Sequence, residues 1–270
     1  MNDQAFRPVQ PVATPAAYIG GKRNLSKRIT ALIETIPHTT YVEVFMGMGG
    51  VFLKRRLAPK AEVINDLSGD VANLFRILQR HYPQFMDTLR FQITSRHEFE
   101  RLKACDPATL TDLERAARFL YLQRLAFGGK VSGRNFGVSV GRSSSFNLTT
   151  LAPLLDDVHQ RLAGVIIESL PWQKLIERYD RSETLFYLDP PYWGNETDYG
   201  AGMFGRDEFA EMAAVLKGLR GRFILSINDR PEVRDVFSEF DMRMVELTYT
   251  VAGGNNVRAA QELIIQTIRR

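Results

Sequence analysis

The four residues with the clearest chemical potential are Asp189, Pro190, Pro191 and Tyr192, which directly follow the apolar run 185–188. Two consecutive prolines lack N–H donors and favour extended backbone, so this loop is stiff. A stiff loop can hold the Asp189 carboxylate and the Pro190 carbonyl as two fixed hydrogen-bond acceptors, and Tyr192 can stack on a flat ring. The pattern is suited to binding a planar NH₂ group.

Such a group is a poor nucleophile because its nitrogen lone pair is delocalised. Two acceptors on its hydrogens would favour a more tetrahedral nitrogen and stabilise the charge that develops during attack. An ordinary Pro-Pro turn is the structural alternative. The strand before the loop and the motifs described next favour a catalytic loop that acts on a planar amine or amide.

A second group of residues could hold a cofactor. Phe45-Met46-Gly47-Met48-Gly49 follows the strand-like run 41–45, and glycines there let the backbone turn tightly and approach a ligand. Asp66 follows the strand-like run 61–65, where an acid can accept hydrogen bonds from a ribose. Taken singly, the glycines could form only a turn, and Asp66 or Ser68 could only cap a helix. Together they indicate a nucleotide-like cofactor.

A third motif, Tyr18-Ile19-Gly20-Gly21-Lys22, combines an aromatic ring, two glycines and a cation. These residues could wrap the charged ends of the same cofactor. A flexible loop before a helix is the alternative, and this motif is weak by itself.

The elements that must position these motifs alternate between strands and helices. Further strand-like runs lie at 165–167, 185–188 and 223–227, and helical spacing occurs at 71–78 and 209–216. This alternation predicts an α/β fold with a parallel sheet covered on both faces. Two strand-like runs at 242–251 and 262–268, separated by glycines and asparagines, predict a terminal antiparallel hairpin.

The alternation is interrupted between residues 82 and 160. We predict a mostly helical insertion there, with one helix over 110–127 and a hairpin or loop over 128–145. Residues 115–155 contain no Asp or Glu, although the whole chain is nearly balanced, with a net charge of +4. This stretch indicates a polyanion such as nucleic acid rather than only a solvated face. Its cations are Arg115, Arg118, Arg124, Lys130, Arg134 and Arg142.

Composition narrows the class of protein. The 270 residues are 44% hydrophobic and 24% charged, which is typical of globular domains. The four histidines are scattered, so no metal is expected. Cys105 is the only cysteine, and no signal peptide or run of about 18 apolar residues occurs, so we expect a cytoplasmic protein without a membrane span.

The order of these four motifs resembles that of the Dam-type adenine-specific DNA methyltransferases, from about residue 17 onwards. The resemblance implies a Rossmann-like fold with a mixed seven-stranded sheet whose last strand is antiparallel. It implies S-adenosylmethionine as cofactor, bound by a catalytic domain of residues 1–81 and 161–270. It also implies that the insertion, residues 82–160, recognises double-stranded DNA and that the target adenine is flipped out. The implied cofactor residues are Tyr18, Gly20, Gly21, Lys22, Phe45, Gly47, Gly49, Asp66 and Asp189.

The insertion differs from relatives that recognise GATC, because Gly128-Gly129-Lys130-Val131-Ser132 replaces a run containing asparagine and arginine. No particular recognition sequence is therefore predicted. Trp193-Gly194 and Asp198-Tyr199-Gly200 resemble phage and prophage relatives. We expect a monomer, with a cognate restriction endonuclease as a candidate partner. The expected DNA contacts are Arg124, Lys130, Arg134 and Asn135.

Other functions remain open at this point. The same chemistry could act on structured RNA or on a glutamine side chain, although amide methyltransferases favour Asn before Pro-Pro-Tyr. A DNA-binding module that retains the fold without catalysis is a further alternative.

Overall fold

The computed structural model describes residues 6–20, 22, 25–137, 141, 143–196, 204–250 and 257–267. Within these ranges one seven-stranded sheet has the spatial order β5-β4-β2-β6-β7-β9-β8. Its strands are β2 (Thr40–Glu43), β4 (Ala61–Asn65), β5 (Ile166–Glu168), β6 (Thr184–Leu188), β7 (Arg222–Asn228), β8 (Asp241–Thr250) and β9 (Val257–Gln266). A separate antiparallel pair joins β1 (Arg7–Pro8) to β3 (Leu57–Ala58).

The strand directions confirm the predicted mixed sheet. Strands β5, β4, β2, β6 and β7 pair in parallel, whereas β9 is antiparallel to both β7 and β8. The last strand therefore lies between β7 and β8, and the terminal hairpin forms as predicted. Its Gly253-Gly254-Asn255-Asn256 turn lies outside the described residues.

Alternating side chains along the strands face two different apolar cores, which is why these strands are apolar on both sides. Leu185 and Tyr187 contribute to one core, and Phe186 and Leu188 contribute to the other. The first core contains side chains from α1 (Ser26–Thr35) and α2 (Gly69–Arg80). The second contains side chains from α7 (Trp172–Tyr179), α8 (Glu208–Lys217) and α9 (Pro231–Val236). The parallel strands thus carry helices on both faces, as expected.

The insertion is mostly helical, as predicted. It contains α3 (Tyr82–Leu89), α4 (Arg96–Ala104), α5 (Asp112–Leu125) and α6 (Leu148–Arg161). Helix α5 starts two residues later than predicted because Thr111 and Glu114 form a capping box.

Helix α5 also ends earlier than predicted, at Leu125 rather than Phe127. The backbone of Ala126 turns instead into an antiparallel bridge with Phe136, supported by a 2.9 Å hydrogen bond from Phe127 N to Asn135 O. The predicted hairpin therefore begins at the end of α5. Val138, Val140 and Arg142, which belonged to the same prediction, lie outside the described residues.

The insertion packs on the sheet through α2, and side chains of α3, α5 and α6 share the first core with strand residues. The segment before Tyr18 also joins this core through Val12 and Ala16. The division into a catalytic domain and an inserted domain stays a prediction. No helix in the described part of the chain has the length and apolar character needed to cross a membrane.

Candidate active site

A cavity of about 600 Å³ lies where strands β2, β4 and β6 end. In parallel sheets, ligands bind beyond the carboxyl ends of the strands. The loops that follow these three strands carry Phe45, Asp66 and Asp189, and all three residues line the cavity. The sequence motifs that were separate along the chain thus meet in one place. Tyr18, Gly20, Lys22 and Gly47 also line it.

The glycine loop is fixed by its own geometry. Gly47 has φ of +50° and Gly49 has φ of +75°, a region that favours glycine. A Cβ atom at Gly47 would lie 3.0 Å from the Tyr18 ring, whereas one at Gly49 would meet Met46 and Leu53. Gly47 therefore permits the approach of Tyr18, and Gly49 permits packing behind the loop.

Asp66 connects the end of β4 to this loop. Its Oδ2 accepts a 2.8 Å hydrogen bond from Gly47 N, and its Oδ1 accepts one of 2.9 Å from Ser68 N. Ser68 occupies the N-cap position of α2, and no capping bond from its side chain is present. Burial raises the pKa of Asp66 to about 6, although the two N–H groups oppose the rise.

The segment around Tyr18 forms another wall of the cavity and is held by the insertion. Gln123 Nε2 donates to Ala17 O at 2.8 Å and to Gly129 O at 2.7 Å, and Ile19 N donates to Gly129 O at 3.1 Å. Gly129 has φ of +68°, and a Cβ there would lie 2.9 Å from Tyr18 N. This motif is therefore a wall tied to α5 rather than a free loop. Gly21 lies outside the described residues.

The loop of Asp189, Pro190 and Pro191 is anchored at both ends by β7. Ser226 Oγ donates to Asp189 Oδ1 at 3.4 Å and lies 2.8 Å from the Tyr187 hydroxyl. Asn228 accepts from Trp193 N at 2.9 Å and donates to Trp193 O at 3.0 Å. Ser226 and Asn228 are among the last three residues of β7. The structure places both against this loop.

Lys22 reaches out of its motif to the same loop. Its ammonium lies 2.8 Å from Asp189 Oδ1 and donates to the Tyr192 hydroxyl at 2.6 Å. It also lies 4.2 Å from the centre of the Tyr192 ring. The structure thus joins the Tyr18–Lys22 motif to the Asp189–Tyr192 motif, although they are about 170 residues apart.

Two buried acids belong to this site and were missed in the sequence. Glu43 lines the cavity, and Glu262 of β9 contacts Tyr192 and Lys22. Burial raises the pKa of Glu43 to about 8. Glu43 interrupts the apolar run 41–45, and Glu262 directly precedes the apolar run 263–265. An acid in such a position was the signal that could have identified both.

The electrostatics of Asp189 follow from its surroundings. Burial raises the pKa of Asp189 to about 6; Lys22 opposes the rise, and Glu262 adds to it. The carboxyl group is therefore mainly ionised at neutral pH and protonated in mild acid. An ionised Asp189 accepts strongly through both oxygens, whereas a protonated one carries an O–H donor and is a weaker acceptor for an NH₂ group.

The expected DNA contacts do not form one exposed set. Lys130 and Asn135 are exposed. Arg124 donates to Pro15 O and Ser145 O and lines the cavity. Arg134 donates to Lys130 O and Gln123 Oε1 and lies over the Phe119 ring.

Other cations of the acid-free stretch also make internal contacts. Arg115 pairs with Asp70 at 2.5 Å, and Arg118 donates to the carbonyls of Leu102 and Lys103. Arg142 lies outside the described residues. Much of the positive charge that the sequence suggested for a polyanion is therefore used in contacts within the protein, some inside the insertion and some with Asp70 and Pro15 outside it. Among the described residues, no cluster of three or more His, Cys, Asp or Glu side chains is arranged to hold a metal ion.

Two curated methyltransferases are similar to this chain over most of its length. A type II methyltransferase, M.CviBI of Paramecium bursaria Chlorella virus NC1A, is 23% identical over 82% of this chain and 85% of its own. A second, M1.LlaDCHI of Lactococcus lactis subsp. cremoris, is 26% identical over 93% of each chain. Among solved structures, a precorrin-8w decarboxylase of Methanobacterium thermoautotrophicum aligns over 90% of each chain at 14% identity, with a TM-score of 0.37.

The family profile agrees with the order of the motifs along the chain. The profile described as D12 class N6 adenine-specific DNA methyltransferase matches residues 18–251, which include all four motifs. The chain therefore belongs to the D12 class of N6 adenine-specific DNA methyltransferases, as the order of its motifs predicted.

Proposed function

We propose that the cavity binds S-adenosylmethionine and that the Asp189–Tyr192 loop presents the 6-amino group of a flipped adenine to it. The family gives the reaction, methylation of that nitrogen in DNA. The observation that carries the residue roles is that one cavity is lined by the glycine loop, Asp66 and Asp189. Cofactor and acceptor amine would therefore meet at the end of β6.

The residues present fit this cofactor. The cavity volume of about 600 Å³ lies within the range of roughly 300–1,000 Å³ for small-molecule sites. Asp66 uses two acceptor positions on Gly47 and Ser68, and an ionised carboxylate offers about four, so it can still accept ribose hydroxyls. Tyr18, Gly20, Gly21, Lys22, Phe45 and Gly49 complete the proposed cofactor residues. When bound, S-adenosylmethionine supplies an electrophilic methyl group on a sulfonium, so no metal is required.

The target amine would donate to the carboxylate oxygen of Asp189 that Lys22 and Ser226 do not contact. Lys22 and Ser226 both contact Oδ1, and Oδ2 accepts no hydrogen bond from the described residues. We therefore assign Oδ2 and the Pro190 carbonyl oxygen as the two acceptors for the amine hydrogens. Their pull on the hydrogens makes the nitrogen more nucleophilic and stabilises its developing charge. Pro191 keeps the loop stiff, and Tyr192 stacks on the base.

The insertion, residues 82–160, is the proposed DNA-recognition domain, and residues 1–81 and 161–270 are the catalytic domain. Lys130 and Asn135 are exposed beside the end of α5 and are the simplest candidates for DNA contacts. Arg124, at the cavity wall, and Arg134, which contacts Gln123, would also contact the DNA. Adenine must leave the duplex because its amine is otherwise paired and stacked.

We further propose a monomeric enzyme that acts in the cytoplasm. The two relatives are named type II methyltransferases, which supports a cognate restriction endonuclease as partner.

A labelled-methyl transfer assay tests the proposal. Purified protein is incubated with S-[methyl-³H]adenosylmethionine and with duplex DNA, structured RNA or a glutamine-containing protein. Label should enter only the DNA, as 6-methyladenine, and Asp189→Ala should abolish transfer without loss of folding. Asp157→Ala, an exposed acid on α6, is the matched control and should retain activity.

The other outcomes separate the alternatives. Label in RNA or protein would assign the same chemistry to another substrate. DNA binding without transfer would indicate a binding module, and transfer by Asp189→Ala would refute the role of that residue. Long-read sequencing of DNA from a host that expresses the chain would give the recognition sequence.

DNA binding itself can be tested at Lys130. Lys130→Ala should weaken binding and, if Lys130 contacts a phosphate, reduce the slope of log K against log salt by about 1. Lys60→Ala is the control, because Lys60 is exposed next to the amino end of β4, away from the cavity. Equal binding by both variants would remove Lys130 from the interface.

A further inference from the structure

Glu262 is an acid in an otherwise apolar part of β9. The neighbouring residues Leu263, Ile264 and Ile265 fill the two cores, yet the Glu262 side chain is only 1% exposed. In the sheet register Glu262 lies opposite Asn228, the residue that clamps the backbone of Trp193. A buried carboxylate costs several kcal/mol unless it is paired, so its partners matter.

Its partners include the two side chains next to Asp189. Glu262 Oε1 accepts a 2.5 Å hydrogen bond from the Tyr192 hydroxyl, and Glu262 Oε2 lies 3.6 Å from Lys22 Nζ. The Lys22 side chain is itself only 2% exposed, and its ammonium also contacts Asp189 Oδ1. One buried cation is therefore shared between two carboxylates and a phenol.

We propose that Glu262 is a positioning residue, which holds Lys22 and Tyr192 so that Lys22 fixes one oxygen of Asp189 and leaves the other for the target amine. This inference rests on the proposed function of Asp189. Glu262 itself would touch neither the cofactor nor the base.

The physical reason is competition for the Lys22 ammonium. The ammonium already contacts Asp189 Oδ1 at 2.8 Å, and the Glu262 carboxylate at 3.6 Å holds it back from Asp189 Oδ2. Without the Glu262 charge, Lys22 would pair with Asp189 alone and compete with the amine for the carboxylate. Two opposite charges attract more strongly in a buried site than in water. Loss of the Glu262 charge should therefore slow the methyl-transfer step.

The same change affects the titration of Asp189. The charged and titratable groups around Asp189 are Lys22, Glu262, Glu43, Tyr187 and Tyr192. Glu262 raises the pKa of Asp189, so removing its negative charge should lower that pKa. A merely structural role of Glu262 would not shift the acid limb of the activity profile in this direction.

The test uses Glu262→Gln, which keeps the size of the side chain and an acceptor for Tyr192 but removes the charge. We expect single-turnover methyl transfer at saturating DNA and cofactor to slow by about 10- to 100-fold, the range for a misplaced reacting group. Affinity for S-adenosylhomocysteine should fall by a smaller factor than the rate, because Lys22, a proposed cofactor residue, stays in the site when the Glu262 charge is removed. The acid limb should move to lower pH.

The matched control is Glu246→Gln, an exposed acid on β8 that faces neither core nor cavity. It should match the wild-type protein in rate, cofactor affinity and pH profile. A Glu262→Gln protein that melts like the wild type and transfers methyl at the wild-type rate would overturn the inference.

A readout without activity separates this inference from the proposed function. In protein labelled with ¹³Cζ-tyrosine, the Tyr192 signal, assigned by its loss in Tyr192→Phe, should shift in Glu262→Gln and not in Glu246→Gln. If the wild-type protein transferred no methyl to DNA, the proposed function would fail while this shift still supported the contact. An unchanged Tyr192 signal would overturn the contact, and with it the positioning role.

Discussion

The backbone N–H of Gly47 donates a 2.8 Å hydrogen bond to Oδ2 of Asp66. This bond joins the loop after β2 to the loop after β4. In the sequence each residue had a structural explanation of its own, a turn for Gly47 and a helix cap for Asp66. The bond shows that the two motifs position each other, because the acid holds the loop whose glycine admits Tyr18.

Gly47→Ala tests this arrangement. A Cβ at Gly47 would lie 3.0 Å from the Tyr18 ring, so the ring must move away from the cavity wall. We expect affinity for S-adenosylhomocysteine to fall by at least about tenfold, which corresponds to about 1.4 kcal/mol. Isothermal titration calorimetry measures this loss.

Gly164→Ala is the control for backbone strain. Gly164 has φ of +76° after α6, and an added Cβ would meet no atom within 4 Å. It should lower the melting temperature much as Gly47→Ala does and leave cofactor affinity unchanged. Equal affinity in the two variants would show that the Tyr18 contact does not shape the site.

The strands and the motif order were predictable because each depends on local pattern. Apolar runs gave β2, β4, β6 and β7 to within a few residues, and parallel strands necessarily bring the loops after them to one edge. Asp66 and Asp189 could therefore be placed together from sequence alone.

Long-range pairing was not predictable in the same way. Glu262 reaches Tyr192 only because β9 lies next to β7 with Glu262 opposite Asn228, and this register is not encoded locally. The burial of Arg118 could not be predicted from the sequence either. A cation on an amphipathic helix suggests a solvated face, yet Arg118 is buried against the carbonyls that end α4.

The activity should fall in mild acid because protonation removes the negative charge that makes Asp189 a strong acceptor for the amine hydrogen. Its pKa is raised to about 6, so kcat/KM for DNA should decline about tenfold per pH unit below that value. Asp66 also has a pKa raised to about 6, so the rates are measured at saturating cofactor between pH 5 and 8. A kcat/KM that is flat down to pH 5 in folded protein would contradict the prediction.

Gln123→Ala should weaken the wall that carries Tyr18. The Gln123 side chain is fully buried, and its amide satisfies the carbonyl oxygens of Ala17 and Gly129. In Gln123→Ala the bond to Ala17 O is lost, whereas Gly129 O keeps its bond from Ile19 N. One unsatisfied group costs about 1–3 kcal/mol, so the free energy of unfolding should fall by about that amount. Denaturant titration measures this loss, and calorimetry should show weaker cofactor binding as well.

The comparison for Gln123 is Gln160→Ala. Gln160 is exposed on α6, and its side chain donates to Asp156 one turn away, so its removal should change stability by less than about 0.5 kcal/mol. Similar losses of unfolding free energy in the two variants would mean that the Gln123 hydrogen bonds do not stabilise the protein more than a surface contact does.

Glu43 should make the stability of the protein depend on pH. Burial raises its pKa from 4.5 to about 8, against hydrogen bonds from Tyr41 and Phe52 that favour the charged form. The folded state therefore binds a proton that the unfolded state has already lost between these values. This contribution is fully present below pH 4.5 and is lost as pH rises through about 8.

Glu43→Gln removes this dependence, because an amide resembles the protonated acid and does not titrate. The melting temperature of the variant should equal that of the wild type near pH 4.5 and exceed it by several degrees at pH 8, at roughly 2–4 °C per kcal/mol. Thermal unfolding without ligand at pH 4.5, 6.5 and 8 measures the difference. Glu177→Gln, an exposed acid on α7, should show no such trend. A constant difference between Glu43→Gln and the wild type at all three pH values would mean that Glu43 is charged in the folded protein.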